Sequence, residues 1–233
     1  MDIYNLKDKT SYTLGMSISI ELLINHPEIV TKVYYSSRMI KNDNYHKLQD
    51  LCLRNNIPLI NDDKVIDNLS VKENCYVIAV FNKFYSELKS NNHLVLMNYD
   101  DEGALGTVLR TAISFNHRDI ILINSNIDYF EPKVVRASMG AIFYTNIKKY
   151  PDLDSYLMDY PRQNIYSIAN DGKKELNEIS YKEPYSLIYS NDYMNGIDIG
   201  EKVYIKHHNY ESIPQAMVFA ISLHHFYNLK HLI

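Results

Sequence analysis

The chain has 233 residues, 46% of them apolar, enough for one large or two small domains with well-filled cores, and its composition is that of an ordinary globular protein. Its formal charge of −4, from 24 Lys and Arg against 28 Asp and Glu, argues against general adhesion to nucleic acid through excess cations, and leaves room for RNA contact through a local patch. The longest apolar runs, CYVIAVF and HLVLM, are too short to span a bilayer. MDIYNLKDKTSY lacks the charged-then-apolar pattern of a signal, so a cytoplasmic protein without membrane association is expected.

The predicted elements begin with a helix from Ile18 to Asn25, a strand from Val30 to Tyr35, a helix from Tyr45 to Asn55 and a short strand from Ile57 to Ile60. A helix from Asp62 to Leu69 and a strand from Cys75 to Phe81 follow, and this alternation predicts a small α/β unit over residues 1–90. The polar stretch SELKSNN reads as a linker. Beyond it, over 91–233, strands are predicted at Leu94 to Asn98, Ile120 to Ile123, Ile142 to Asn146, Ile165 to Ala169, Tyr185 to Tyr189 and Lys202 to Ile205. A long helix then begins at Ser212. Cys52 and Cys75 have no paired spacing for zinc or a disulfide framework and read as core residues in a reducing compartment. The 21 tyrosines point first to a biased genome and second to stacking platforms for bases.

Two runs stand apart in character. In NYDDEGALGTVLRTA, Asn98 to Ala112, a buried strand leads through an acidic, glycine-bearing turn into a helix expected near Ala104. Helical spacing puts Thr107, Arg110 and Thr111 on one face and Leu105, Val108, Leu109 and Ala112 on the apolar side. A guanidinium placed there can meet an anion or a hydroxyl, or be a surface arginine of an amphipathic helix. In PKVVRASMGAIF, Pro132 to Phe143, Gly140 reads as a helix end with Arg136 in the last turns.

These runs resemble motifs one and two of the SpoU/TrmH family of RNA ribose 2′-O-methyltransferases, within the SPOUT class: Gly-x-x-x-Arg-Thr-Ala after a strand and turn, then Arg-Ala-Ser-Met-Gly. Family motif three falls at SLIYSND, Ser186 to Asp192, and YESIPQAMVFAISLHHF, Tyr210 to Phe226. The resemblance covers almost the whole chain. It implies a small α/β RNA-substrate domain followed by a trefoil-knotted methyltransferase domain, a homodimer with sites built across its two-fold interface, S-adenosylmethionine as methyl donor, and rRNA or tRNA as substrate. It places Arg110, Asp192 and Ser212 in the chemistry. Ser190, Asn191, Gly196, Ile205 and Ile213 would contact the cofactor, and Arg136 and Ser138 would support the pocket or touch RNA. Because arginine stays protonated, Arg110 would orient the ribose hydroxyl and stabilise developing negative charge rather than simply take up its proton.

Five positions depart from the family pattern in one pocket. Ala104 replaces an asparagine, Ser190 and Asn195 replace glycines of motif three, Lys206 replaces a proline, and Pro214 replaces an asparagine at the start of the last helix. At about 1 kcal/mol each, the lost contacts would cost on the order of 5 kcal/mol, roughly 10³ to 10⁴ in affinity or rate. Two readings therefore stand: a methyltransferase, or a non-catalytic relative that keeps the fold and binds RNA or a protein partner. A third is a transferase retooled for another ligand. No metal site is expected, because the adjacent pairs His207-His208 and His224-His225 point their rings apart on either a strand or a helix.

Overall fold

The computed structural model describes residues 4–70, 74–180, 182–190, 197–208 and 213–231. In chain order its elements are β1 (Thr10–Tyr12), α1 (Met16–Asn25), β2 (Val30–Tyr35), α2 (Asp43–Arg54), β3 (Leu59–Asn61), α3 (Asp63–Leu69), β4 (Val77–Asn82), β5 (His93–Met97) and α4 (Glu102–Ser114). There follow β6 (Asp119–Ile123), α5 (Pro132–Ala137), β7 (Asn146–Tyr150), α6 (Leu153–Asp159), β8 (Asn164–Ile168), β9 (Lys174–Glu175), β10 (Tyr185–Ser190), β11 (Glu201–Tyr204) and α7 (Gln215–His231). Four helices start where an Asn or Asp side chain accepts a free first-turn N–H: Asn42 from Tyr45, Asp62 from Val65, Asp101 from Ala104 and Asp152 from Ser155.

The chain forms two compact units. Residues up to Phe84 together with Asp128–Tyr144 make the first; Tyr85–Ile127 together with the chain from Thr145 onward make the second. The first unit holds a four-stranded sheet of order β1-β4-β2-β3, in which the β2–β3 pairing is parallel and the pairings with β4 are antiparallel. Tyr12, Tyr34, Ile66, Ile78 and Val80 form one of its cores. Phe81 meets Phe130 and Phe143 edge-on at 6.0 and 5.6 Å, which ties the 128–144 segment to β4.

The second unit is a seven-stranded sheet of order β7-β6-β5-β10-β8-β11-β9, and every pairing in it is parallel. Its middle strands β5, β6 and β10 are buried almost throughout, as strands covered on both faces must be. Val95, Ile121 and Ile188 lie side by side on one face against Tyr150 and Tyr156. On the other face Tyr185 and Tyr189 stack on Phe226 and Phe219 of α7, at 5.0 and 4.2 Å. The edge strand β9 is guarded by charge: Lys174 pairs with Glu201 at 2.7 Å, and Lys202 with Asp171 at 2.5 Å.

The structure departs from the sequence-based expectations in places. Ile142 to Asn146 is no strand: Ala141–Tyr144 coils as a 3₁₀ turn that sets Phe143 against Phe81, and pairing with β6 begins only at Asn146. β1, α6 and β9 were not anticipated from sequence. The glycines of the first motif lie inside α4, whose first residue is Glu102, rather than in the turn before it.

The N-terminal ends of the central strands carry buried polar groups. The Asp119 carboxylate accepts hydrogen bonds from the N–H groups of Lys89 and Ser90 and from Asn146 Nδ2. His117 lies within 2.9 Å of Phe115 O through Nδ1 and 2.7 Å of Tyr185 Oη through Nε2. That pair of partners suits a neutral ring that donates through Nδ1 and accepts the phenol proton at Nε2. Burial pushes the His117 pKa down to about 4, and burial lowers that of His93 as well. The unfolded chain therefore takes up protons that the folded chain refuses as pH falls from about 6.5 toward 4, so stability must fall over that window. His117 alone is expected to contribute about 3 kcal/mol to that loss. Urea midpoints measured across this range should show it, and His117→Gln should flatten the acid limb.

Candidate functional site

In the second unit the sheet order places a crevice. From β5 the chain continues outward through α4 to β6 and β7, whereas β10, β8, β11 and β9 lie on the other side of β5. In open parallel sheets such a reversal leaves an opening beyond the C-terminal strand ends, where ligands bind. The pairing of Ser190 with Met97 puts the end of the third motif beside the entry to the first.

The rim is fixed by side chains with hydrogen-bonding ability. Asn98 and Asn124, at the ends of β5 and β6, both adopt the left-handed conformation at φ 51° and 48°. Asn124 Nδ2 donates to Asn98 Oδ1 at 2.5 Å, and Asn98 N donates to Ile123 O at 3.0 Å. Neither was singled out from sequence, although an Asn directly after an apolar strand is a residue that tolerates this backbone. Tyr99 is buried, its carbonyl accepts from Ser125 Oγ at 2.6 Å, and burial followed by the Asp101 charge holds its phenol well above the usual range.

Arg110 stands on the exposed side of α4, with Thr107 exposed and Thr111 half-buried beside it. Leu105, Val108, Leu109 and Ala112 are buried, as the spacing predicts. Among the described residues no side chain pairs with the Arg110 guanidinium. Thr111 Oγ1 donates to Thr107 O at 2.9 Å and Ser114 Oγ to Arg110 O at 3.0 Å, so the hydroxyls beside it serve their own helix.

Of the third motif, Ser190 is described and Asn191, Asp192, Asn195 and Gly196 lie outside the described residues, as does Ser212. Ser190 is buried at the end of β10, and its carbonyl accepts from Gln215 Nε2 at 3.0 Å. Gln215 was not foreseen from sequence. Its amide follows directly on Pro214, where the family asparagine is missing, and it ties the start of α7 to the end of β10. The first turn of α7 closes on Pro214 O, which accepts from Met217 N at 2.8 Å. Ile205 is buried and Ile213 half-buried, while Lys206 is exposed and pairs with Glu175 at 3.5 Å.

Gly172, after β8, lies where a Cβ would fall 2.5 Å from the carbonyl carbon of Val203, so only glycine lets this loop rest on β11. In kind, Ile205, Ile213 and Ala169 are apolar residues of the type that lines an adenosyl pocket. The Ser190 carbonyl is already engaged by Gln215.

Arg136 and Ser138 belong to the first unit. Arg136 is half-buried in the last turn of α5, and Ser138 is fully buried with Oγ donating to Val135 O at 2.8 Å. Met139 and Gly140 then turn left-handed at φ 51° and 90°, and a Cβ on Gly140 would meet Glu21 Cβ at 2.9 Å. This half of the pattern has a complete structural reason: it ends α5 and seats the next turn on α1. Among the described residues no group of three or more His, Cys, Asp or Glu could hold a metal ion. No described helix is long and apolar enough to cross a membrane.

The fold is shared with solved RNA methyltransferases. The SpoU methyltransferase AviRb of Streptomyces viridochromogenes, solved with AdoMet, superposes at TM-score 0.79 with 14% identity, over 96% of this chain and 91% of that one. An AdoMet-bound rRNA methyltransferase of Sinorhizobium meliloti gives 0.76 with 20% identity, over 97% and 88%. Residues 91–191 match the SpoU rRNA Methylase family. Human mitochondrial rRNA methyltransferase 3 is 35% identical over 92 residues, 38% of this chain and 21% of that protein. This chain's matches thus span about a fifth of the length of such curated relatives.

Gly172→Ala should lower unfolding free energy by about 1–3 kcal/mol in urea titrations, because the clash is with backbone. Arg110→Ala should stay within about 0.5 kcal/mol of the parent in the same assay, since the side chain is exposed and has no partner among the described residues.

Proposed function

We propose that this chain is an RNA 2′-O-ribose methyltransferase that uses S-adenosylmethionine and acts on rRNA or tRNA. The observation that carries the proposal is the Arg110 guanidinium, with no side-chain partner among the described residues, on the helix that follows β5, the strand paired with motif-three strand β10. Ser190, Asn191, Gly196, Ile205 and Ile213 would hold S-adenosylmethionine, the source of an electrophilic methyl group. The cofactor would supply the methyl group and keep the electron pair of its carbon–sulfur bond, and the proton of the ribose 2′-hydroxyl would leave to solvent or to a nearby base. Arg110 donates hydrogen bonds to the oxygen, orienting a lone pair and stabilising the charge that grows there. Asp192 and Ser212 join Arg110 in the chemistry in this reading, and Arg136 and Ser138 are assigned support of the pocket or contact with RNA.

The trefoil threading of the last segment, a homodimer and a cytoplasmic setting belong to the same proposal. Met217 and Ile221 leave an apolar stripe exposed on α7, and both cysteines are buried as free thiols. If α7 supplies the two-fold interface, Met217→Glu with Ile221→Glu should convert a dimer to a monomer in light scattering; a monomeric parent would remove the dimer from the proposal.

Calorimetric titration with S-adenosylmethionine and S-adenosylhomocysteine tests the function. Micromolar binding supports it. No heat at millimolar cofactor would leave a non-catalytic binding protein, the reading favoured by the engaged Ser190 carbonyl and by Lys206 in the place of a proline. With cofactor bound, Arg110→Ala should reduce methyl transfer to RNA by about 10²–10³-fold while cofactor affinity stays the same.

A further inference from the structure

At the N-terminal ends of the strands, on the rim opposite the crevice, the second unit has a recess of about 190 Å³ that the methyl-transfer chemistry does not use. Phe115, Phe226 and Tyr227 form its aromatic wall, with the Phe115 and Tyr227 rings 6.0 Å apart. Its deeper polar groups are satisfied. His117 is held between Phe115 O and Tyr185 Oη, and Asp119 accepts from three donors. Lys230, also on the rim, is paired with Glu183 at 3.1 Å.

Three further rim groups differ. Lys89, Arg118 and Asn116 line the same recess, and none of their side-chain polar groups has a partner among the described residues. Two unpaired cations, an amide that can both donate and accept, and an aromatic wall match the parts of a nucleotide: phosphate, base edge and base face. The volume is below the roughly 300–1,000 Å³ of pockets that enclose drug-sized ligands, so it suits one base with the phosphate left at the rim.

We propose that this recess binds a single nucleotide, its base against Phe115 and Tyr227 and its phosphate at Lys89 and Arg118. The nucleotide can be free or a residue of an RNA strand, and the site stands independently of methyl transfer.

The test is titration of the purified full chain with UMP, with ribose 5-phosphate and with a short single-stranded oligouridylate, followed by calorimetry. Saturable binding of UMP or of the oligonucleotide is expected. Lys89→Ala with Arg118→Ala should weaken it by at least about tenfold, with an unchanged thermal midpoint, and Arg118→Lys should recover part of it. UMP binding identifies a site complete for a mononucleotide, and binding of the oligonucleotide alone identifies a site for a residue of RNA. Equal affinity for ribose 5-phosphate and UMP would overturn the proposal, since the aromatic wall would then contribute nothing. Absence of binding by both nucleotides, or unchanged affinity in the double variant, would overturn it as well. Competition of UMP with S-adenosylhomocysteine would assign the binding to the strand C-terminal ends and likewise overturn it. Cofactor binding by the double variant, measured separately, keeps this result distinct from the fate of the methyltransferase proposal.

Discussion

The parallel pairing of β5 with β10 is the constraint on which the second unit depends. Five residues of each strand lie in register, from His93 against Ser186 to Met97 against Ser190. Parallel neighbours need crossovers, and crossovers cover both faces, so these strands must be apolar on both sides. The same pairing sets the place where the strand order reverses and draws together segments that the sequence keeps far apart. A polar substitution in the middle of β10 would therefore disturb the core and the mouth of the crevice together.

The departures from the family pattern are less uniform in their effect than a count suggests. Pro214 removes an amide and Gln215 supplies one at the next position, directed to the carbonyl of Ser190. Ser190 adds a side chain, yet it sits buried in a regular strand end. Lys206 exchanges a rigid ring for a cation that bridges to Glu175 on the neighbouring edge strand. These are changes of contact within an intact frame of strands, and what they alter is the chemistry offered at the rim. The frame itself rests on aliphatic strand residues and on Gly172 and Gly140, which keep the close approaches they make.

Much of the frame was legible in the sequence because it depends on short-range rules. The apolar runs HLVLM and Ile120 to Ile123 read as strands from composition alone, and both are buried strands of the sheet. The buried face of α4 followed from spacing alone. What escaped was set by tertiary partners. β9 has two residues and exists because β11 lies beside it, and the AIFY segment turned into a 3₁₀ coil because Phe81 offered its ring a place. Sequence adjacency likewise carries no sign of which unit Asp128–Tyr144 packs into. At the site, Arg110 was visible through a motif, whereas Gln215 and the Asn98–Asn124 pair become meaningful only once two strand ends meet.

The interleaving of the two units along the chain has a consequence for synthesis. Phe81 and Phe84 of the first unit complete their packing against Phe130, while Lys83 reaches Asp128 at 2.9 Å beside Tyr4. A nascent chain emerging N-terminus first presents β4 well before these partners leave the ribosome. Until then, the Tyr85–Ile127 stretch is a loop that must close before the first unit is finished. Vectorial translation therefore cannot finish the first unit as an independent body before the second begins, and holdase chaperones would find their substrate in that interval, on the uncovered phenylalanines of β4 and its neighbour.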